Sequence, residues 1–559
     1  MLSVFTRAVL TAAAASPRHI TGGTFADPVR LTWQDVHERA KRIAGGLAAR
    51  GLGRGGSVAV LATDAADVIP LAQAVWLRGA ALTMLQQPTP RTDLTVWLAD
   101  TLRAIQLIEA DVVVVGDPFL AARDHLTAQG LTVCTVESLG NAEPTEFDAD
   151  PDDADIALRQ LTSGSTGVPK AVEISHRNLA ASTVALHDGL DLSIATDVFA
   201  SWLPLSHDMG MIAFVCLPMQ LGLEVVIVPP DDFLRQPIIW AELISRHRAT
   251  ITSAPNFAYS VLARVLQHCD DSGSIDLSSL RVAVNGAEPI DHRDIADFVA
   301  VAARFGMRPT APMPGYGLAE ATLVVALGGP HEPAVIDTVS RRAVTEAQRA
   351  VPVGEDAADS RHIACIGVPV TGMQVRITRG EEVLGPREIG AIELRGACIA
   401  ENYRTAAGVV RLARDDGWFD SEDLGYLDEQ GRLYVCGRSK DLIVLAGRNL
   451  YPHDIERAAE GVDGVRTGCV IALRVDGDRE GFAVLAEVHS ADDEELRLRI
   501  SRDVSTQVSR HVGHLPRHVL LFPAGTLPKT ASGKLRRSSA RGLLQTGIDP
   551  ACPPLRAVG

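Results

Sequence analysis

The chain has 559 residues and a mass of 59.5 kDa, too long for one ordinary hydrophobic core and long enough for roughly two to four folding units. With 46% hydrophobic and 22% charged residues and a mean hydropathy of +0.11, it has the composition of a soluble globular protein rather than a disordered one. A formal charge of −16 and a pI near 5.5 argue against nucleic-acid binding, which needs a basic face, and no apolar run approaches the roughly 20 residues that span a bilayer.

The N-terminus, with Arg7 followed by the alanine-rich stretch to Ser16, faintly imitates a signal peptide but is read as a helix of the fold, because it is rich in alanine rather than leucine. Short apolar, β-branched runs then alternate with helical patterns. The predicted strands are 57–61, 111–115, 156–161, 224–228, 250–253 and 280–284, and the predicted helices include 66–77, 177–187 and 256–266. That alternation indicates βαβ units and parallel sheets covered by helices, an α/β architecture.

After about Gly367 the pattern shortens into strands at 375–377, 390–395 and 432–436, which reads as a small β subdomain closing the large domain. The last stretch of about 120 residues has its own signals at 469–473, 481–487, 495–512 and 518–522, enough for a small α+β domain. The expected division is therefore 1–438 and 439–559. Residues 332–360 stand apart as a polar insertion short of strand signals, and such a segment is usually functional or disordered. Eight scattered cysteines, from Cys134 to Cys552, form no CxxC pair, so neither a zinc site nor a disulfide framework is indicated and a reducing cytoplasm fits best.

Of 53 Lys+Arg only five are lysines: Lys41, Lys170, Lys440, Lys529 and Lys534. A chain that otherwise uses arginine retains lysine where a compact, rotatable ammonium is needed beside phosphate or carboxylate oxygen. Lys170 ends Leu161-Thr-Ser-Gly-Ser-Thr-Gly-Val-Pro-Lys170, a Gly/Ser/Thr loop fed by a strand. Glycines let the backbone wrap an anion, hydroxyls donate, and lysine supplies charge, as a triphosphate requires. Val168-Pro169 before the lysine sets it apart from the P-loop pattern.

At this point the sequence resembles the adenylate-forming superfamily of acyl-CoA synthetases, luciferases and peptide-synthetase adenylation domains. Further stretches agree in order: Gly315-Tyr-Gly-Leu-Ala-Glu320, Ser421-Glu-Asp-Leu-Gly425, Gly437-Arg-Ser-Lys-Asp441 and Leu527-Pro-Lys-Thr-Ala-Ser-Gly-Lys-Leu-Arg536. Four details look like the fatty acyl-AMP ligases: Ser201-Trp-Leu-Pro-Leu-Ser-His-Asp-Met-Gly210, Ser253-Ala-Pro-Asn-Phe-Ala-Tyr259, Asn285-Gly-Ala-Glu-Pro289 and Gly447-Arg-Asn-Leu-Tyr-Pro452. The polar insertion sits where that subfamily carries its extra segment.

The resemblance implies activation of a fatty acid by ATP and Mg²⁺ to acyl-AMP, then transfer to an acyl carrier protein. It implies that Thr162, Ser163, Gly164, Ser165, Thr166, Gly167 and Lys170 hold the outer phosphates. Tyr316 would stack on adenine, next to Gly317, with the backbone of Gly286, Ala287 and Glu288 on the other face. Glu320 would reach Mg²⁺, and Asp423 and Arg438 the ribose hydroxyls. Lys534 would bridge the substrate carboxylate and α-phosphate, Lys440 would be the hinge of a mobile last domain, and His207 with Asp208 would lie beside the substrate carboxylate unless His207 is simply structural.

Two departures stand out. Ala319 occupies a position where many relatives have threonine, and Glu422 one where the superfamily commonly has glycine, which puts the ribose geometry in question. Two rivals remain: a long-chain fatty acyl-CoA ligase, and a silent nucleotide-binding module, whose mark would be loss of Lys534, Glu320 or Asp423. All three are present.

Overall fold

The computed structural model describes residues 2–548 apart from 90–91, 146–149, 164–168, 270–272, 446, 476–479, 491–492 and 531–532. The first helix, Val4–Ala15, is capped by Ser3 and buries Phe5 and Val9, with Phe5 edge-on to Trp76 at 5.0 Å. The alanine-rich start is thus part of the core. Strand Ser57–Leu61 is wholly buried and pairs in parallel with both Ala81–Met84 and Val112–Val115. Its unbroken apolar run reflects burial on both faces.

A second parallel set, Glu224–Ile227, Val198–Ser201, Ile251–Pro255, Val282–Gly286 and Pro312–Gly317, lies side by side in that order. Antiparallel strands Val324–Leu327, Ser360–Pro369, Leu433–Arg438, Phe419–Leu427, Gly390–Gly396 and Met373–Arg379 extend its edge. The expected β subdomain therefore continues the same hydrogen-bonded sheet.

The strand that feeds the Gly/Ser/Thr loop, Ile156–Ser163, pairs with Pro169–Ser175 as a hairpin with Thr162 opposite Lys170, and the helix His176–Gly189 follows it. One expectation is corrected: residues 332–360 are not short of strand. Ile336–Ser340 pairs antiparallel with Ser360–Pro369, burying Val339 while Asp337 accepts from Arg387 at 2.8 Å and Tyr426 at 2.6 Å. The polar letters that hid this strand are satisfied by partners about 50 to 90 residues away, which no local pattern carries.

The last stretch builds a three-stranded sheet, Val465–Val475, Gly481–Val488 and His518–Phe522. Helices Pro452–Glu460 and Glu494–Val512 cover it around Ile455, Phe482, Val484 and Val504. It meets the rest of the molecule through charge. Arg361 pairs with Asp454 at 3.1 Å, Arg457 with Asp291 and, at 3.6 Å, Asp294, and Arg536 donates to Gln86 at 3.0 Å. The 332–360 insertion joins in: Glu346 pairs with Arg448 at 2.7 Å, and Arg341 donates to the His511 carbonyl at 3.0 Å.

Candidate active site

The carboxyl ends of Ile251–Pro255, Val282–Gly286 and Pro312–Gly317 face a cavity of about 1730 Å³ whose opposite wall includes the segment around Lys534. Ligands of open α/β sheets collect at this end of the strands.

One corner has the charge and the donors that a phosphate would need. Lys170 lies on the strand Pro169–Ser175, which pairs with Asn402–Thr405 through Ala171 and Arg404. That register sets Tyr403 beneath the lysine: Nζ is 3.8 Å from the ring centroid and 3.9 Å from Glu320 Oε1. The Tyr403 hydroxyl in turn donates a short hydrogen bond to Glu320. Burial and the adjacent Glu320 push the phenol far up, so Tyr403 stays protonated and holds the carboxylate. Thr162 lies at the same wall; Gly164, Ser165, Thr166 and Gly167 lie outside the described residues, and Ser163 ends its strand.

Glu320 sits on the short turn Ala319–Ala321. Among the described residues no group of three or more His, Cys, Asp or Glu side chains forms a cage for a metal. A single carboxylate facing the phosphate corner fits Mg²⁺, which takes one or two carboxylates and completes its shell with phosphate oxygen and water.

A second corner, around Gly286 and Tyr316, is tightly packed. A Cβ on Gly286 would fall 2.6 Å from the Gly315 carbonyl, and one on Gly317 1.7 Å from that of Leu323, so both positions require glycine. Ala287 is left-handed at φ +67°, and the Glu288 carboxylate accepts from the Phe257 N–H at 2.7 Å. Burial raises the Glu288 carboxyl despite that bond. Tyr316 donates to Asp423 at 2.6 Å, and Arg438 Nε lies 3.4 Å from the same carboxylate. Burial raises Asp423, while Arg438 and Tyr316 oppose it. An aromatic face next to a carboxylate and an exposed guanidinium offers stacking beside two kinds of hydroxyl partner.

The reacting corner joins distant segments. Lys534 Nζ is 3.0 Å from His207 Nε2, and His207 Nδ1 is 2.6 Å from Asp208. His207 Nδ1 also lies 3.2 Å from the Met209 N–H, so the ring is held between Lys534, Asp208 and the start of the helical turn Asp208–Met211. Burial pushes the Lys534 ammonium down, with Asp208 and Glu288 opposing. Burial would raise Asp208, but His207, Lys534 and the Met209 N–H outweigh it and bring the carboxyl to about 2. Gly533, left-handed at φ +85°, lets the loop close: a Cβ there would meet the Phe257 ring at 2.5 Å.

The same cavity has apolar lining from Phe199, Phe214, Val261, Val284, Leu323 and Leu327. Phe199 and Phe214 meet edge to face at 5.9 Å. Ala213 and Phe214 reach this wall from a π-helical turn, Ile212–Cys216, a feature frequent at functional sites.

The structure thus brings together Lys170, Glu320, Tyr316, Asp423, Arg438, His207 and Lys534 around one cavity. Lys440 lies at its edge, bonded to Glu422 at 2.6 Å. Tyr403 and Phe257 were missed. Phe257 stood inside a quoted motif without a role; Tyr403 had no motif, and only the pairing of its strand with that of Lys170 reveals it.

This arrangement defines an adenylate-forming ligase, and the chain belongs to the AMP-binding enzyme family, which it matches over residues 11–404. It is 46% identical, over 92% of its length and 94% of the relative, to a Mycobacterium tuberculosis protein described no further than as a ligase. The long-chain-fatty-acid–AMP ligase FadD26 of Mycobacterium marinum is 31% identical over 91% of this chain and 90% of the relative. A solved structure from a study of fatty acyl-adenylate ligases of E. coli and L. pneumophila superposes with a TM-score of 0.89 at 28% identity, covering 98% of both chains.

Proposed function

We propose that the protein is a fatty acyl-AMP ligase that activates a fatty acid with Mg²⁺·ATP and passes the acyl group to the phosphopantetheine thiol of an acyl carrier protein. The observation that carries this reading is one cavity lined both by Lys170, Glu320, Lys534 and His207 and by the apolar side chains of Phe199, Phe214, Val261 and Leu323. Apolar walls take an alkyl chain and leave its carboxylate at the ammonium.

In the first half-reaction a carboxylate oxygen attacks the α-phosphorus, the bond to the bridging oxygen breaks, and pyrophosphate leaves. Lys534 faces the point where negative charge gathers, which is where preorganised charge lowers a barrier. His207, fixed by Asp208, orients that ammonium. Lys170 and the hydroxyls beside it neutralise the leaving group, and a magnesium ion at Glu320 would supply further positive charge there. Tyr316, Asp423 and Arg438 hold the nucleoside so that the attack is in line.

In the second half-reaction the thiol sulfur attacks the acyl carbon, the thiol proton is lost, and AMP departs. The proposed division is 1–438 and 439–559, with Lys440 as the hinge that reorients the last domain between the two steps. The insertion's contacts with Arg448 and His511 support its role as a brace on that motion. The proposed location is the cytoplasm; no described helix is long and apolar enough to cross a membrane, and the seven described cysteines form no disulfide. The test is incubation with ATP, fatty acids of several lengths, and either holo carrier protein or free coenzyme A; release of pyrophosphate with no dependence on any fatty acid would refute the substrate class.

A further inference from the structure

Glu422 is a non-glycine residue held at φ +63°, a left-handed conformation that a Cβ disfavours. Residues kept in such conformations persist where their surroundings over-determine them, and they cluster at switch regions. Here the determinants are on the page. The Glu422 N–H donates to Asp420 at 2.8 Å. Its carbonyl accepts from the Ser439 hydroxyl at 2.9 Å, and its carboxylate accepts from Lys440 Nζ at 2.6 Å. Two of these three bonds run to consecutive residues of the turn Ser439–Asp441. Glycine would give the backbone this shape without strain, so the side chain is accounted for by what its carboxylate holds.

We infer that Glu422 is a positioning residue that catches Lys440 and biases the enzyme toward the closed pose, in which Lys534 meets His207. The inference rests on the proposed hinge at Lys440. A rotation there carries the ammonium away from Glu422 and breaks the 2.6 Å contact. Glu422 immediately precedes Asp423, whose N–H donates to Ser421 at 3.2 Å, so the catch lies next to a residue proposed to hold the nucleoside.

Both side chains are about half exposed, so the pair is screened by solvent and its bias is modest, about two- to fivefold in the ratio of open to closed molecules. That ratio is read directly by energy transfer between bioorthogonal dyes at the exposed positions Val184 and Leu515, on the full-length enzyme without carrier protein. Glu422→Gln and Glu422→Gly should each raise the open-to-closed ratio by that factor at low salt. High salt acts on the other pairs that hold the last domain, Arg361–Asp454 and Arg457–Asp291 among them, in all three proteins, so it should open wild type by a larger factor than either variant, and the exchanged pair Glu422→Lys with Lys440→Glu should close the enzyme again. In single-turnover assays from preformed acyl-AMP, both Glu422 variants should transfer faster while their KM for ATP stays near wild type. Equal ratios in wild type and both variants, with Lys440→Pro still blocking exchange, would overturn the catch alone. Free exchange in Lys440→Pro would overturn the hinge and the catch with it.

Discussion

Lys534 Nζ and His207 Nε2 lie 3.0 Å apart although 327 residues separate them. The same approach sets Gly533 against Phe257 and Arg536 on Gln86. Lys534→Ala should reduce adenylation by about 10²- to 10³-fold, since it removes a charge aimed at the reacting centre. ATP affinity, measured by calorimetry, should change little. Adenylation that persists near the wild-type rate would remove Lys534 from the chemistry.

The same lysine predicts an alkaline limb in the pH profile. Burial lowers its ammonium below the ordinary lysine value, and Asp208 and Glu288 pull the other way. The ammonium is the form that donates, so the rate falls as pH rises through that lowered value. Asp208→Asn removes one of the opposing carboxylates and should move the limb to still lower pH. Pyrophosphate release followed across pH tests this; a limb that stays in place would disconnect Asp208 from Lys534.

Tyr403 makes two separable contacts, a hydroxyl bond to Glu320 and a ring face under Lys170. Tyr403→Phe keeps the ring and should weaken Mg²⁺·ATP binding about fivefold, the worth of one hydrogen bond. Tyr403→Leu loses the cation–π contact as well and should bind a further few-fold more weakly. Identical affinities for the two variants would deny the ring a role.

The insertion invites a finer cut than deletion. Because Val339 and Val344 are fully buried, removing 332–360 would open the core, whereas Glu346→Ala with Arg341→Ala severs the contacts to Arg448 and His511 at the cost of two local ones, Arg342 with Glu346 and Arg341 with the Ser360 carbonyl. If the segment braces the last domain, this double variant should retain acyl-AMP formation and transfer more acyl group to free coenzyme A than wild type does. Adenylation intact with no gain in acyl-CoA would place the exclusion of coenzyme A elsewhere, in the thiol channel.

Much of this was legible in the residues. The buried parallel strands declared themselves through runs such as Ser57–Leu61, which fell at the expected bounds, and Lys170, Tyr316, Glu320, Asp423, Arg438 and Lys534, from separate motifs, line one cavity. The strand Ile336–Ser340 was hidden because Asp337 and Ser340 are polar and their partners are distant in sequence. The hairpin strand Pro169–Ser175 was hidden because a proline opens it and its register depends on Ile156–Ser163. Glu422 looked like a flaw at the ribose site. In the fold it takes the left-handed shape that a glycine would adopt, so Asp423 still meets Tyr316 and Arg438.

The most direct measurement follows one reaction to both possible products. The enzyme is supplied with ATP, Mg²⁺ and a long-chain fatty acid, then divided between holo carrier protein and free coenzyme A, with acyl-AMP and both thioesters quantified by mass spectrometry. The account predicts acyl-AMP in each portion, acyl carrier protein in the first and little or no acyl-CoA in the second. Efficient acyl-CoA formation with an unmodified carrier protein would contradict it and assign the chain to the acyl-CoA ligases.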